Sequence, residues 1–267
     1  MNMSMGSLLR GGALLVVLLA ATAGAQTSRT PSPDLPNIER YYERPFDVPS
    51  FVLAWEKTGR LGADGVLGFL AAIFANEPEQ IARVSTLPLA KPAQTIVIQA
   101  LRFAQKSDEA RALAQRWNWP PREQANIAPV RPLLATRPEQ PSHFNTFWGA
   151  SFATGDAAYI RPIYDYYAGA LAEPDIGVDQ VVGMVLARIR GDREAAEAIA
   201  RNYPRERVRW VVFGASALWS LDANARQHRF VAEAIAQFVR ETPEGLAVKG
   251  LRMLRSALRE PSQNGAR

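Results

Sequence analysis

The chain has 267 residues, no cysteine, and a formal net charge of +5 from 31 basic and 26 acidic side chains. Without cysteine it has no disulfide, thiol nucleophile or thiolate metal site, so the fold must be held by burial, for which about 240 residues suffice. The charge is too mild to point to nucleic acid, but it fits an anionic surface or acidic partner.

Residues 1–25 follow the grammar of a cleaved secretory signal: Arg10, an apolar run over 13–21, and small residues Ala23-Gly24-Ala25. The run is shorter than the roughly 20 residues of a membrane span. Cleavage is expected after Ala25, leaving Gln26 first; the loss of Arg10 leaves a net charge of +4. The expected location is periplasmic or secreted. The absence of cysteine excludes a lipidated cleavage site.

Residues 26–46 read as a flexible leader, because Thr30-Pro31-Ser32-Pro33-Asp34-Leu35-Pro36 cannot sustain a helix or a central strand. Tyr41, Tyr42 and Phe46 are expected to tuck against the first helices. From residue 47 the pattern is helical. Asp47 can cap a helix that begins near Pro49 and carries Phe51, Val52 and Trp55 on one face. After a break at Gly59–Gly62, apolar residues at helical spacing predict a helix over 63–76. Pro78 opens a short one, and others follow over 90–103 and 107–117. Thr95-Ile96-Val97-Ile98 is ambiguous between helix and strand. Residues 47–117 thus form an N-terminal helical lobe.

Residues 118–141 contain Pro120, Pro121, Pro129, Pro132, Pro138 and Pro141, a density that stops long helices. They are either a linker or an extended strap. Ile127, Val130, Leu133 and Leu134 favour a strap with buried contacts. A C-terminal helical lobe over 142–260 follows, with a helix over 144–153 capped by Ser142 and one over 157–171 bent at Pro162. Further helices are expected over 178–190, 193–202, 204–221, 223–240 and 243–259, then a disordered tail over 261–267. The predicted fold is all-α, with antiparallel helix pairs stacked as an α-solenoid or an α/α repeat-like bundle.

Two segments echo each other. Trp148-Gly149-Ala150-Ser151-Phe152 precedes Gly155-Asp156, and Phe213-Gly214-Ala215-Ser216-Ala217 runs toward Leu221-Asp222. Small residues beside an aromatic let a neighbouring helix approach closely. Residues 147–156, Phe-Trp-Gly-Ala-Ser-Phe-Ala-Thr-Gly-Asp, followed by Tyr159 and Ile160, resemble a segment of uncharacterised bacterial secreted α-helical proteins of repeat-like build. There an aromatic-rich helix ends in a similar Ala-Thr-Gly-Asp turn. The resemblance implies a structural helix–turn–helix joint and no catalytic residue.

No reaction chemistry stands out. His143 and His228 lack a carboxylate or second histidine at ligand spacing, and read as a helix N-terminal residue and a surface residue. Gly-x-Ser-x-Gly is absent, and the two Gly-Ala-Ser triplets lie within helices, where no nucleophile elbow forms. Glu39, Glu43, Glu56 and Asp64 lie near aromatics and are the raw material for a cleft acid. Tyr159, Tyr164, Tyr166 and Tyr167 read as half-buried core or as the lining of a ligand groove. No cofactor or metal is implied.

Two basic groups are more distinctive. Arg201, Arg205, Arg207 and Arg209 surround Pro204 at a helix junction, and arginine suits bidentate contact with phosphate or carboxylate. On the last helix Lys249, Arg252, Arg255 and Arg259 form a stripe opposite Leu246, Leu251, Leu254 and Leu258. The expectation is a non-catalytic interaction or scaffold protein. It would bind an envelope protein or an anionic envelope polymer through Arg205, Arg207, Arg209, Arg252, Arg255 and Arg259. The alternatives are an enzyme acting on cell-wall glycan or lipid with a glutamate in a cleft, and a small-ligand carrier with an apolar tunnel.

Overall fold

The computed structural model describes residues 36–59 and 61–259. The expected signal, residues 26–35 of the leader and the tail over 261–267 lie outside the described residues. Among the described residues there are thirteen α-helices and no strand. They are α1 (Val48–Thr58), α2 (Ala63–Asn76), α3 (Glu79–Val84), α4 (Lys91–Phe103), α5 (Ser107–Arg116), α6 (Pro121–Ala125) and α7 (Pro141–Thr154). There follow α8 (Arg161–Ala172), α9 (Val178–Ile189), α10 (Arg193–Arg201), α11 (Arg205–Gln227), α12 (Arg229–Glu241) and α13 (Leu246–Arg259).

The first helix begins and ends as its sequence dictates. The Asp47 carboxylate accepts the Ser50 N–H at 2.9 Å, a proline occupies the first turn, and Gly59 closes the helix at φ 57°. Helix α2 is buried on every side from Val66 through Phe74, the mark of a central helix. It crosses α7 with almost nothing between the backbones. A Cβ built on Gly149 would lie 2.0 Å from the Gly65 carbonyl oxygen, and one on Gly68 only 1.7 Å from that of Thr146. The close approach expected of the first Gly-Ala-Ser triplet is therefore present. At the second, Gly214 of α11 faces Ala170 of α8, where a Cβ would sit 3.1 Å from the alanine methyl. Helix α11 packs on α8, α9 and α12, while α13 covers α9 and α8. Helix α2 meets a helix far along the chain, while α4 with α5, α9 with α10 and α11 with α12 pack as neighbours, so the fold is all-α with the helix–helix packing of a bundle or repeat. The apolar interior runs continuously from Ile38 to Leu254.

Residues 118–141 are tied down along their length. Trp119, Ile127 and Leu133 are buried, and Trp119 donates its indole N–H to Gln94 at 2.7 Å. Arg102 and Gln105 donate to the carbonyls of Ala128 and Val130, each at 2.8 Å. Arg111 reaches the Ile127 carbonyl at 3.2 Å. Leu134 stays 46 % exposed.

Several local expectations are corrected. No turn separates Leu221 from Asp222, because α11 runs on to Gln227. No glycine or proline lies between Gly214 and its end, and the Asp222 carboxylate pairs with two guanidinium groups and caps no helix. Pro162 does not bend its helix. It occupies the first turn of α8, after a short 3-10 turn capped by Asp156. Ser142 makes no cap; Pro141 begins α7. The last helix starts at Leu246, which is 50 % exposed and not turned inward. The ambiguous Thr95–Ile98 stretch is helical within α4.

Candidate binding groove

The first turns of α11 project three of the expected arginines in different directions. Arg207 is committed to structure. It pairs with the Asp175 carboxylate and donates to the Pro174 carbonyl at 2.7 Å, pinning the α8–α9 turn, where Asp175 adopts φ 65°. Arg205 is exposed. Arg209 lies over the Trp210 ring, 5.1 Å from its centroid. Trp210 lies in turn 5.8 Å from Tyr166 at 31°, and Tyr166 meets Phe144 edge-on at 5.3 Å.

Tyr166 and Trp210 floor a half-open groove of about 1,030 Å³. One wall is the strap from Leu134 to Glu139, and the other is the face of α8 that carries Pro162, Asp165 and Tyr166. Thr136 is extended, at φ −96° and ψ 159°, with its N–H and hydroxyl both given to the Leu133 carbonyl, at 3.0 and 2.6 Å. Charges of both signs line the space: Arg137 and Arg209 against Glu139, Asp165 and Glu173. Asp165 is bound to Arg161 at 2.7 Å. Arg137, Glu139 and Glu173 form no ion pair among the described residues. Burial pushes the Tyr166 hydroxyl pKa up, against the pull of Arg209 and with a smaller push from Glu173. The phenol is therefore a neutral hydrogen-bonding group at the groove floor.

The second basic group lies elsewhere. Asp222, with 6 % of its side chain exposed, holds Arg226 at 2.7 Å and Arg255 at 3.4 Å. Arg255 thus serves the α11–α13 contact, while Lys249, Arg252 and Arg259 face outward. Asp222 is fifteen residues beyond Arg207 on one helix, or roughly 22 Å along its axis. The structure does not bring the two arginine groups into one surface.

The remaining candidates separate cleanly. Tyr164 and Tyr167 are buried core, and Tyr159 lines a smaller hollow of about 150 Å³ on the other side of Leu134. His143 sits in the first turn of α7 and accepts the Glu139 N–H at 3.2 Å. His228 is not a surface residue: it is 1 % exposed, at the corner between α11 and α12, under Phe152 and Phe230. Glu56 accepts the Ala90 N–H at the start of α4. Burial raises the Glu39 pKa, and the Tyr42 hydroxyl bonded to Glu43 lowers that of Glu43. None of these glutamates lines the groove. No cluster of three or more metal-ligating side chains occurs among the described residues, and no helix among them is long and apolar enough to cross a membrane.

Sequence reasoning singled out Arg209, Tyr166 and the strap as separate features but missed Trp210, which joins them. Its only signal was an aromatic next to an arginine at a helix start. Comparison with known proteins gives no match to a family model, to a curated protein or to a solved structure.

Proposed function

We propose that the protein is a non-catalytic binding module of the bacterial envelope, exported behind residues 1–25 and engaging a protein partner through the groove beside Trp210. The observation that carries this reading is the groove lining: an aromatic floor with charges of both signs on its walls. A polyanion laid there would meet Glu139, Asp165 and Glu173 next to the two arginines, and like charges in contact are costly. A polypeptide segment with apolar side chains and mixed charge meets no such conflict, and an aromatic floor suits it. Binding is favoured over catalysis because Asp165 is 57 % exposed and already paired, whereas a general acid needs a shielded carboxyl. The outward residues Lys249, Arg252 and Arg259 supply a second, weaker electrostatic face on α13.

The test is site-specific photo-cross-linking from position 136 of the full chain in native envelopes. One or two envelope proteins should be captured, and both Trp210→Ala and Arg209→Glu should abolish the adduct. Charge reversal at Arg252 and Arg259 examines the α13 face separately, because Arg255 is engaged by Asp222. Absence of a groove-dependent adduct, or hydrolysis of purified peptidoglycan by the protein, would overturn the reading. Sequencing of the exported protein should begin at Gln26.

A further inference from the structure

The segment that precedes α1 is fastened to residues far along the chain by a small group of contacts. Tyr42 reaches the corner between α11 and α12. Its ring meets Phe230 edge-on at 4.6 Å, and its backbone N–H donates to the Phe152 carbonyl at 3.1 Å. Arg40 donates to the Gln227 carbonyl at 3.2 Å, one residue before His228. The Tyr42 hydroxyl lies 2.7 Å from the Glu43 carboxylate and 3.3 Å from His228 Nδ1.

A phenol has one proton to give. The short contact to a carboxylate takes it, so the phenol oxygen accepts from His228 and Nδ1 carries the hydrogen. The other ring nitrogen, Nε2, is then a bare lone pair, buried and with no hydrogen-bond partner. Neutral imidazole fits this site. Imidazolium does not, because it would place a second N–H where nothing accepts it, under the rings of Phe152 and Phe230.

We propose that Tyr42 and His228 form an acid-released latch that holds the side chains of Arg40 and Tyr42 onto the α11–α12 corner at neutral pH and lets them go when His228 takes up a proton. Ile38 and Tyr41 remain buried, Tyr41 edge-on to Phe69 of α2 at 5.0 Å, so opening is local and does not detach the segment.

Burial of the imidazole sets the direction, and the charged groups that face it act in opposite senses. Burial lowers its pKa from 6.5 to about 4, with Arg40 adding to the depression and Glu43 opposing it. Helix α7 contributes only Phe152 to the site. On α12, Arg229 turns to Glu233 with 91 % of its side chain exposed. On α11, Asp222 is neutralised by Arg226 and Arg255. The released histidine gains its proton below about pH 6.5, and the latched one only near pH 4. Across that window the open-to-latched ratio rises by up to about tenfold per pH unit.

Hydrogen exchange on the full chain, corrected for intrinsic rates, reads this directly. Protection of the Tyr42 amide should fall up to about tenfold per pH unit below about pH 6, while amides in the middle of α2 keep theirs. In His228→Phe the Tyr42 amide should lose its pH dependence. Protection at Tyr42 that stays constant, that falls in step with α2, or that falls equally in His228→Phe overturns the latch. If that variant does not fold, NMR titration of His228 in the unaltered protein decides. A midpoint well below the free value that tracks the loss of Tyr42 protection supports the latch, and a midpoint near about 6.5 removes it.

Discussion

Replacing Gly149 by alanine tests the crossing on which the bundle is built. The added methyl carbon would lie 2.0 Å from the Gly65 carbonyl oxygen, 2.8 Å from the Phe69 nitrogen and 2.9 Å from the Gly65 carbonyl carbon. All three are backbone atoms, so no side chain can swing aside. A carbon–oxygen contact settles at about 3.3 Å or more, so α2 and α7 must part by roughly 1.3 Å at that point. A gap of that size forfeits about half of each dispersion contact along the interface. Overpacking in a core costs about 1–3 kcal/mol where side chains can adjust. With backbone on both sides we expect about 3–5 kcal/mol, less up to about 1 kcal/mol returned by the better helix propensity of alanine. For a domain of this size that lowers Tm by roughly 10 °C. Thermal unfolding followed by circular dichroism measures it. Gly169→Ala is the matched control: it lies on α8 with no atom within 4 Å of its new methyl, and should raise Tm by a few degrees. A Gly149→Ala protein as stable as the parent would refute the reading of this crossing.

Asp222→Ala should cost about 2 kcal/mol in urea unfolding, since it removes the shared partner of Arg226 and Arg255. The loss stays below that of a fully buried pair because those arginine side chains are 53 % and 44 % exposed. Arg207→Ala should leave groove cross-linking intact and cost at most about 1 kcal/mol, whereas Arg209→Ala should reduce the adduct with little change in stability; the reverse pattern would misplace the site. Asp47→Ala should cost about 1 kcal/mol through the lost cap of α1. The bonds from Ser50, helped by Arg83, hold the Asp47 pKa below its usual 3.8, so its contribution is complete above that value and fades as pH falls through the lowered pKa. Urea midpoints measured down to about pH 3 should show that fading, and a midpoint difference between Asp47→Ala and the parent that is unchanged there would contradict it.

Much of the architecture was legible because local rules decided it. The bounds of α2 follow from glycines before it and a run of apolar residues within it, and Asp47 with Pro49 announces the start of α1. Helix α11 shows where such reading ends. Asp222 has the look of a cap, yet its fate is set by Arg255, thirty-three residues later. His228 was misread for a related reason: its burial comes from Phe152 and Tyr42, neither of which is near it in the chain. The groove was legible only in pieces. Arg209, Tyr166 and the strap each stood out, but their meeting at Trp210 depends on how α8 lies on α11. Spacing within a helix says nothing of that.

The pairing of α2 with α7 also bears on how the chain is made. Nine successive residues of α2, from Val66 through Phe74, have no place on a surface. Helix α4 covers part of them, but the cover supplied by α7 is not complete until Thr154 has been synthesised. Every nascent chain must pass through a stage in which this greasy segment is complete and its main counterpart is not. A chaperone with affinity for short apolar stretches has one obvious place to hold this protein, and the arrival of α7 is the event that displaces it.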